Sequence, residues 1–250
     1  MLSMDIADLV LATGSELLEG TPAAHVAGTV EIDSRKVGAG SVFVAFLGEK
    51  VDGNDYAAAA VEAGASCVVV TREPEPSLLA LARERGCAVV RPQDDDAEEF
   101  LLRLAHEWRA RHPNWLVVGV TGSVGKTTTK DLTRQLLAAS GPTVAPRASF
   151  NNEIGLPLTV LEADESTRYL VLEMGASGPG HIAYLTDIAP LDAAGVLMIG
   201  HAHMGGFGSI EGVAAAKAEI IAGLRPDGTA ILNADDARAA AMAELAPARV

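Results

Sequence analysis

The chain has 250 residues, 49 % of them hydrophobic and 21 % charged, proportions that suit a globular chain with a sizeable core in one large or two ordinary domains. Nineteen Lys and Arg against 33 Asp and Glu leave a net charge of −14, which repels a nucleic-acid backbone but does not exclude a nucleotide bound by a local nest of backbone N–H groups. Two cysteines, Cys67 and Cys87, are too few for a disulfide framework, and no apolar run approaches the about 18 residues that cross a membrane.

The opening stretch, MLSMDIADLVLATGS, has no basic segment and carries Asp5 and Asp8 within its apolar part. It does not read as a signal peptide, and a cytoplasmic location follows by elimination. Residues 40–48 are strand-like between glycines, 55–65 read as a helix with an Asp start, and 66–71 as a buried strand that holds Cys67 as an apolar thiol. A second helix over 78–86 ends in glycine, and a further strand covers 87–91. This alternation predicts parallel pairing in a small α/β domain over residues 1–92. An acidic break follows, and a helix over 96–112 repeats Phe100, Leu101, Leu104 and Trp108 at helical spacing.

From residue 93 the cycle restarts as a second domain. WLVVGV reads as a strand, 126–140 as a helix closed by Gly141, and 168–176 as a strand that runs into an acid. Residues 192–200 form another strand, 210–224 a helix, and 228–236 a strand and turn. Helices alternating with buried strands predict a doubly wound parallel sheet, whose ligands sit at the carboxyl ends of the strands.

All the chemistry-bearing residues fall at those ends. In VTGSVGKTTTKD, a strand, a glycine turn and a helix aim several N–H groups at one point. Lys126 can reach β- and γ-phosphates, and Thr127 has the hydroxyl that holds Mg²⁺ in a P-loop. The early glycine of a P-loop is missing: Val120 stands there, and Gly122 can supply the tight turn instead. Glu173 closes LVLE, where a metal-binding acid would stand. IGHAHMGGFGS places His201 and His203 in a glycine-rich loop, as ordinary surface or as metal ligands. Lys217 lies mid-helix among alanines, where Glu219 or Glu211 offers a surface partner. The amides of SFNNEIGLPLT can cap a helix or hold a polar substrate.

Together these segments resemble the Mur ligase family, the ATP-dependent amide-bond ligases of peptidoglycan precursor synthesis. TGSVGKTTTKD is similar to the family's TGxxGKT loop, which itself lacks the early glycine, and FNNEIGLPLTVL to its NNxxGxP segment. LEMGAS, IGHAHMGGFGSIEGVAAAKAEI and LNADD resemble the member that joins D-Ala-D-Ala to UDP-N-acetylmuramoyl-tripeptide. The resemblance implies a monomer with a UDP-substrate domain and an ATPase domain, acting through an acyl phosphate with ATP and two Mg²⁺ sites. It implies a phosphate loop of Gly122, Ser123, Gly125, Lys126, Thr127 and Thr128, and metal-site residues Thr127, Glu173, His203 and Lys217, the last carbamylated. Lys126, Lys217 and His203 are the residues it places in catalysis. Asn151 and Asn152 match substrate-side amides, and Ser34 and Arg35 the uridine-nucleotide region. No nucleic-acid or membrane partner is expected.

The chain departs from the family pattern in three places and in length. Met198 stands where Asn is common, Asn54 replaces a frequent His, and His201 is extra. The family continues past the position of Val250 with the rest of the ATPase domain and a third domain, so the chain reads as a truncated ligase that alone binds UDP-substrate weakly, if at all, and does not ligate. The alternatives are a non-catalytic nucleotide- or UDP-sugar-binding protein of the same fold, and an unrelated P-loop switch or kinase that would bind no uridine nucleotide.

Overall fold

The computed structural model describes residues 1–48, 50–147, 149–200 and 207–250. The chain divides into two compact units, Met1–Trp108 with Leu161–Asp164, and Arg109–Val160 with Glu165–Val250. The acidic break after Pro92, where the sequence places the junction, lies inside the first unit.

The first unit runs β1 (Leu2–Asp5), α1 (Ile6–Thr13), β2 (Ser15–Glu19), β3 (His25–Gly28), β4 (Val30–Glu31), β5 (Val42–Val44), α2 (Ala57–Glu62), β6 (Cys67–Val69), α3 (Pro76–Arg85), β7 (Ala88–Pro92) and α4 (Ala97–Arg111, the last three residues in the second unit). Its main sheet has the order β2-β7-β6-β5-β4, parallel except for β2 against β7, while β1 and β3 pair antiparallel. β5 and β6 are buried throughout, as expected for short apolar runs in a parallel sheet. Ala57, Ala60 and Val61 of α2 and Leu78 and Ala82 of α3 close over them, with Cys67 and Cys87 both buried and free. The apolar stripe of α4 ties it to this unit: Phe100, Leu101, Leu104 and Trp108 are buried, and the Trp108 indole N–H donates to the Ala163 carbonyl at 2.9 Å. The Asp96 carboxylate caps the helix by accepting from the N–H groups of Glu98 (2.9 Å) and Glu99 (3.1 Å).

The second unit runs β8 (Leu116–Thr121), α5 (Lys126–Ala138), β9 (Thr143–Val144), α6 (Gly155–Glu162, mostly in this unit), β10 (Tyr169–Glu173), α7 (His181–Ile188), β11 (Leu191–Val196), α8 (Ile210–Ala222), β12 (Leu224–Leu232) and α9 (Ala237–Ala241). Its sheet is parallel throughout, in the order β12-β11-β8-β10-β9. The chain leaves β8 to build β9 and β10 on one side and β11 and β12 on the other, so β8 lies at a topological switch point. The register places Glu173 beside Val120 and Val196 beside Thr121, so the ends of β10, β8 and β11 meet at one edge.

Candidate functional site

At that edge the chain turns from β8 into α5. Gly125 has φ 86°, a left-handed conformation that a side chain resists, and a Cβ on Gly122 would sit 2.9 Å from the Leu197 Cβ. These two requirements, one conformational and one steric, fix the glycines of the loop. Among the described residues no side chain caps α5, and its first backbone bond runs from the Thr129 N–H to the Gly125 carbonyl at 2.9 Å. The N–H groups at the head of this 13-residue helix and its dipole therefore face the loop, the arrangement that attracts phosphate.

Lys126 folds over the turn and donates to the Gly122 carbonyl at 2.9 Å. Thr127 Oγ1 lies 3.3 Å from Ser149 Oγ, and Thr128 is exposed. Ser123 is turned elsewhere: its N–H donates to the Met198 carbonyl (2.9 Å), and its hydroxyl accepts from the Gly200 N–H (2.8 Å) and donates to the Gly200 carbonyl (3.1 Å). Both its groups hold the 198–200 segment against the phosphate loop.

Glu173 is only 1 % exposed. Its Oε1 accepts from Asn151 Nδ2 at 2.7 Å, and its buried Oε2 has no hydrogen-bond partner among the described residues. A buried carboxylate oxygen left unpaired is costly, and a cation or an ordered donor relieves it. Asn151 is held in turn by its carbonyl, which accepts from the Gly175 N–H at 2.9 Å. Asn152 does different work: its Oδ1 accepts from the Gly155 N–H at 3.0 Å and starts α6.

Lys217 on α8 is 6 % exposed. Burial, and then the charge of Lys126, push its ammonium down to about 8. The carboxylates that sequence offers it are engaged elsewhere. Glu219 accepts from the N–H groups of Gly180 (2.6 Å) and Ala183 (3.1 Å), and Glu211 bonds Arg238 at 3.2 Å. The surface ion pair expected for Lys217 is thus absent among the described residues. His201 and His203 lie outside the described residues.

Two further residues shape the site without having been singled out from sequence. Asp236 Oδ2 accepts from the Ile199 N–H (2.7 Å), which holds its carboxyl below the usual range, while Oδ1 caps α9 at Arg238 and Ala239. LNADD carried that signal. His181 Nδ1 accepts from the Ser177 N–H at 3.0 Å, and its Nε2 lies 3.1 Å from Glu153 Oε1, joining the segments that follow β10 and precede α6. Nothing in the local pattern marked it.

Among the described residues, no three His, Cys, Asp or Glu side chains cluster as a complete metal cage. Magnesium keeps several waters and takes few protein oxygens, often with substrate phosphates. The orphaned Glu173 oxygen and the Thr127 hydroxyl fit that demand.

The first unit has its own cavity, about 470 Å³, lined among others by Ser34, Arg35, Phe43, Phe46, Val51 and Tyr56. The Arg35 guanidinium forks onto the Asp33 carboxylate with two bonds of 2.8 Å and holds that carboxyl down to about 2. Asn54 ties the turn after Val51 to Thr71. Its Nδ2 donates to Asp52 Oδ1 (2.7 Å) and Thr71 Oγ1 (2.9 Å), and its Oδ1 accepts from the Thr71 N–H (2.9 Å).

The Mur ligase middle domain matches residues 120–250, and the Mur ligase family, catalytic domain, matches residues 27–108. The UDP-N-acetylmuramoyl-tripeptide–D-alanyl-D-alanine ligase of Mycobacterium bovis is 42 % identical over 264 residues, covering 100 % of this chain and 52 % of the relative. Its Escherichia coli counterpart is 36 % identical over 214 residues, covering 83 % and 43 %. The crystal structure of MurF from Acinetobacter baumannii superimposes with a TM-score of 0.86 at 30 % identity, covering 100 % of this chain and 52 % of that one. MurF ligase from Thermotoga maritima in complex with ADP gives 0.69 at 35 % identity over 81 % and 44 %. The chain spans about half the length of the relatives it matches.

Proposed function

The chain belongs to the Mur ligase family, and from that premise we propose that it supplies the UDP-substrate and nucleotide sites of a ligase that adds D-Ala-D-Ala to UDP-N-acetylmuramoyl-tripeptide. The observation that carries this reading is the buried Glu173 carboxylate, one oxygen without a partner among the described residues, at the strand end beside the phosphate loop. Its relatives named as this ligase, and the ADP complex of the T. maritima protein, support the same substrates.

In this reading the γ-phosphate of ATP passes to the terminal carboxylate of the tripeptide, giving an acyl phosphate and ADP. The amine of D-Ala-D-Ala attacks the acyl carbon and loses a proton, and phosphate leaves from the tetrahedral intermediate. The loop N–H groups between Gly122 and Thr128 bind the phosphates. Lys126 exchanges the Gly122 carbonyl for phosphoryl oxygens, where its charge stabilises the loose transition state. Thr127 and Glu173 would hold magnesium, with His203 as a further metal ligand and a carbamylated Lys217 helping to hold a second ion. The metal supplies charge neutralisation on the transferring phosphoryl group. Carbamylation fits the Lys217 environment, because a buried amine with its pKa lowered to about 8 is partly neutral, and only the neutral amine takes up CO₂. Asn151 orients Glu173 and presents a polar edge to substrate. In the first unit, Ser34 and Arg35 bind the UDP moiety in the cavity they line. A cytoplasmic monomer is the corresponding state.

Titration calorimetry of the 250-residue chain tests this. UDP-N-acetylmuramoyl-tripeptide and Mg²⁺ with a non-hydrolysable ATP analogue are each expected to bind. Lys126→Ala should remove the nucleotide heat and leave the UDP-substrate heat unchanged. Nucleotide binding with no UDP-substrate heat would overturn the assignment of the UDP site to the first unit.

A further inference from the structure

Lys130 lies on α5, three residues past Thr127, and is 1 % exposed. Its ammonium donates to the Pro146 carbonyl and to Asp131 Oδ1, both at 2.8 Å. A buried ammonium is costly to desolvate, and an apolar side chain of similar volume would fill the space more cheaply. The structure shows what the charge holds. β9 pairs with β10 only through Thr143 and Val144, after which the chain leaves the sheet, and Pro146 has no N–H with which to anchor itself. The Lys130 bond to the Pro146 carbonyl is made at the start of this excursion. Further along it, Ser149 Oγ meets Thr127 Oγ1 at 3.3 Å and Asn151 Nδ2 reaches Glu173 Oε1 at 2.7 Å. At its far end, Asn152 caps α6. Lys130 therefore ties the helix that carries the phosphate loop to the segment that orients the acid on the neighbouring strand.

We propose that Lys130 is a positioning residue of the nucleotide–metal site, its buried ammonium pinning the segment that aims Asn151 at Glu173 and Ser149 at Thr127. The proposal rests on reading the second unit as a Mg²⁺–nucleotide site. Its charge acts through Asn151 and Ser149, and Lys130 itself touches neither nucleotide nor metal.

The test compares the 250-residue chain with Lys130→Met, Lys130→Gln and Lys130→Arg. Amide hydrogen exchange without ligand and ADP binding with and without Mg²⁺ are measured. Lys130→Met is expected to speed exchange at residues 149–152 and leave exchange in β11 unchanged. It should weaken Mg²⁺-supported ADP binding about tenfold, as lost outer-shell partners do, while metal-free ADP binding stays the same. Lys130→Arg, which keeps the charge and donors, should restore most of both. Lys130→Gln keeps a donor without the charge and should fall between; it decides the matter if Lys130→Met does not fold. Unchanged exchange at 149–152 in the uncharged variants overturns the proposal, as does equal weakening of ADP binding with and without metal. Wild-type ADP binding that ignores Mg²⁺ overturns the metal-site reading underneath, and the exchange difference still decides the role of Lys130.

Discussion

Lys217 is where burial and charge conflict most plainly. Its ammonium is nearly out of solvent, shares its surroundings with the Lys126 charge, and has lost both nearby glutamates to other partners. The pKa falls from 10.5 in the unfolded chain to about 8 in the fold. Between those two values the unfolded chain binds more protons, so stability rises with pH across that window. Below about pH 8 both states are protonated, and the full penalty of burying the cation is present. Lys217→Met should therefore stabilise the chain by on the order of 1–2 kcal/mol near neutral pH, the sign expected when a buried charge with no carboxylate partner among the described residues is replaced by apolar volume. It should also remove the rise between about pH 8 and 10.5. Urea denaturation of both chains across that range is the check; parallel pH profiles would show that Lys217 is not held as an isolated buried cation. A carbamylated wild-type chain gives a third signature, since added bicarbonate would then stabilise the wild type and not the variant.

At the scale of elements, the two glutamates explain themselves. Glu219 projects from α8 and accepts from the Gly180 and Ala183 N–H groups at the head of α7, satisfying donors that no local side chain caps. Glu219→Ala should cost about 1–2 kcal/mol, as the loss of a helix cap does, with increased amide exchange confined to the first turn of α7. Glu219→Gln, which keeps one acceptor, should cost less. Equal stability of all three chains in chemical denaturation would mean that water replaces the cap without loss. Lys217 was hard to read from sequence for its own reason: on a helix drawn alone a lysine among alanines reads as a solvated side chain, and only the packing of α8 buries it. Motif residues were more legible. Gly125, Lys126 and Glu173 sit at positions dictated by a strand–turn–helix and by a strand end, both visible as apolar runs broken by glycine or an acid. The helices α6 and α7 were harder to read, because each has eight residues: α6 shows only its Asn152 cap and carries Pro157, and α7 follows a glycine-rich stretch. The first five elements also escaped, since short strands around α1 give little periodicity to read. Ser123 and Asn152 belong to matching motifs, and in the structure their side chains bond the backbone around them.

For the whole molecule, the consequence lies in where the chain can be cut. The acidic run after Pro92 reads as a linker because it is polar, but Asp94, Asp95 and Asp96 are tied down within the first unit. Arg91 bonds Asp95 at 2.6 Å, Arg103 meets Asp94 at 3.3 Å, and Asp96 caps α4. The exposed ion pairs among these are individually weak. The stronger tie is α4 itself, whose Phe100, Leu101, Leu104 and Trp108 are buried. A fragment ending at residue 92 would lose all four and uncover the surface they pack on. Burying a large apolar side chain is worth about 1.5–3 kcal/mol, so four of them exceed half of a small domain's typical stability of about 5–15 kcal/mol. The fragment 1–92 is therefore expected to express as an unfolded or aggregating chain with no cooperative thermal transition. Extending it to residue 108 restores the helix but not its last partner, since Leu161–Asp164 returns to this unit and the Ala163 carbonyl accepts from Trp108. That longer fragment should fold with a lower Tm than the first unit within the whole chain, and adding back a peptide of residues 155–165 should raise it. A cooperative, soluble 1–92 fragment that binds UDP as well as the 250-residue chain would show that the first domain ends after Pro92 and that its site is complete without α4.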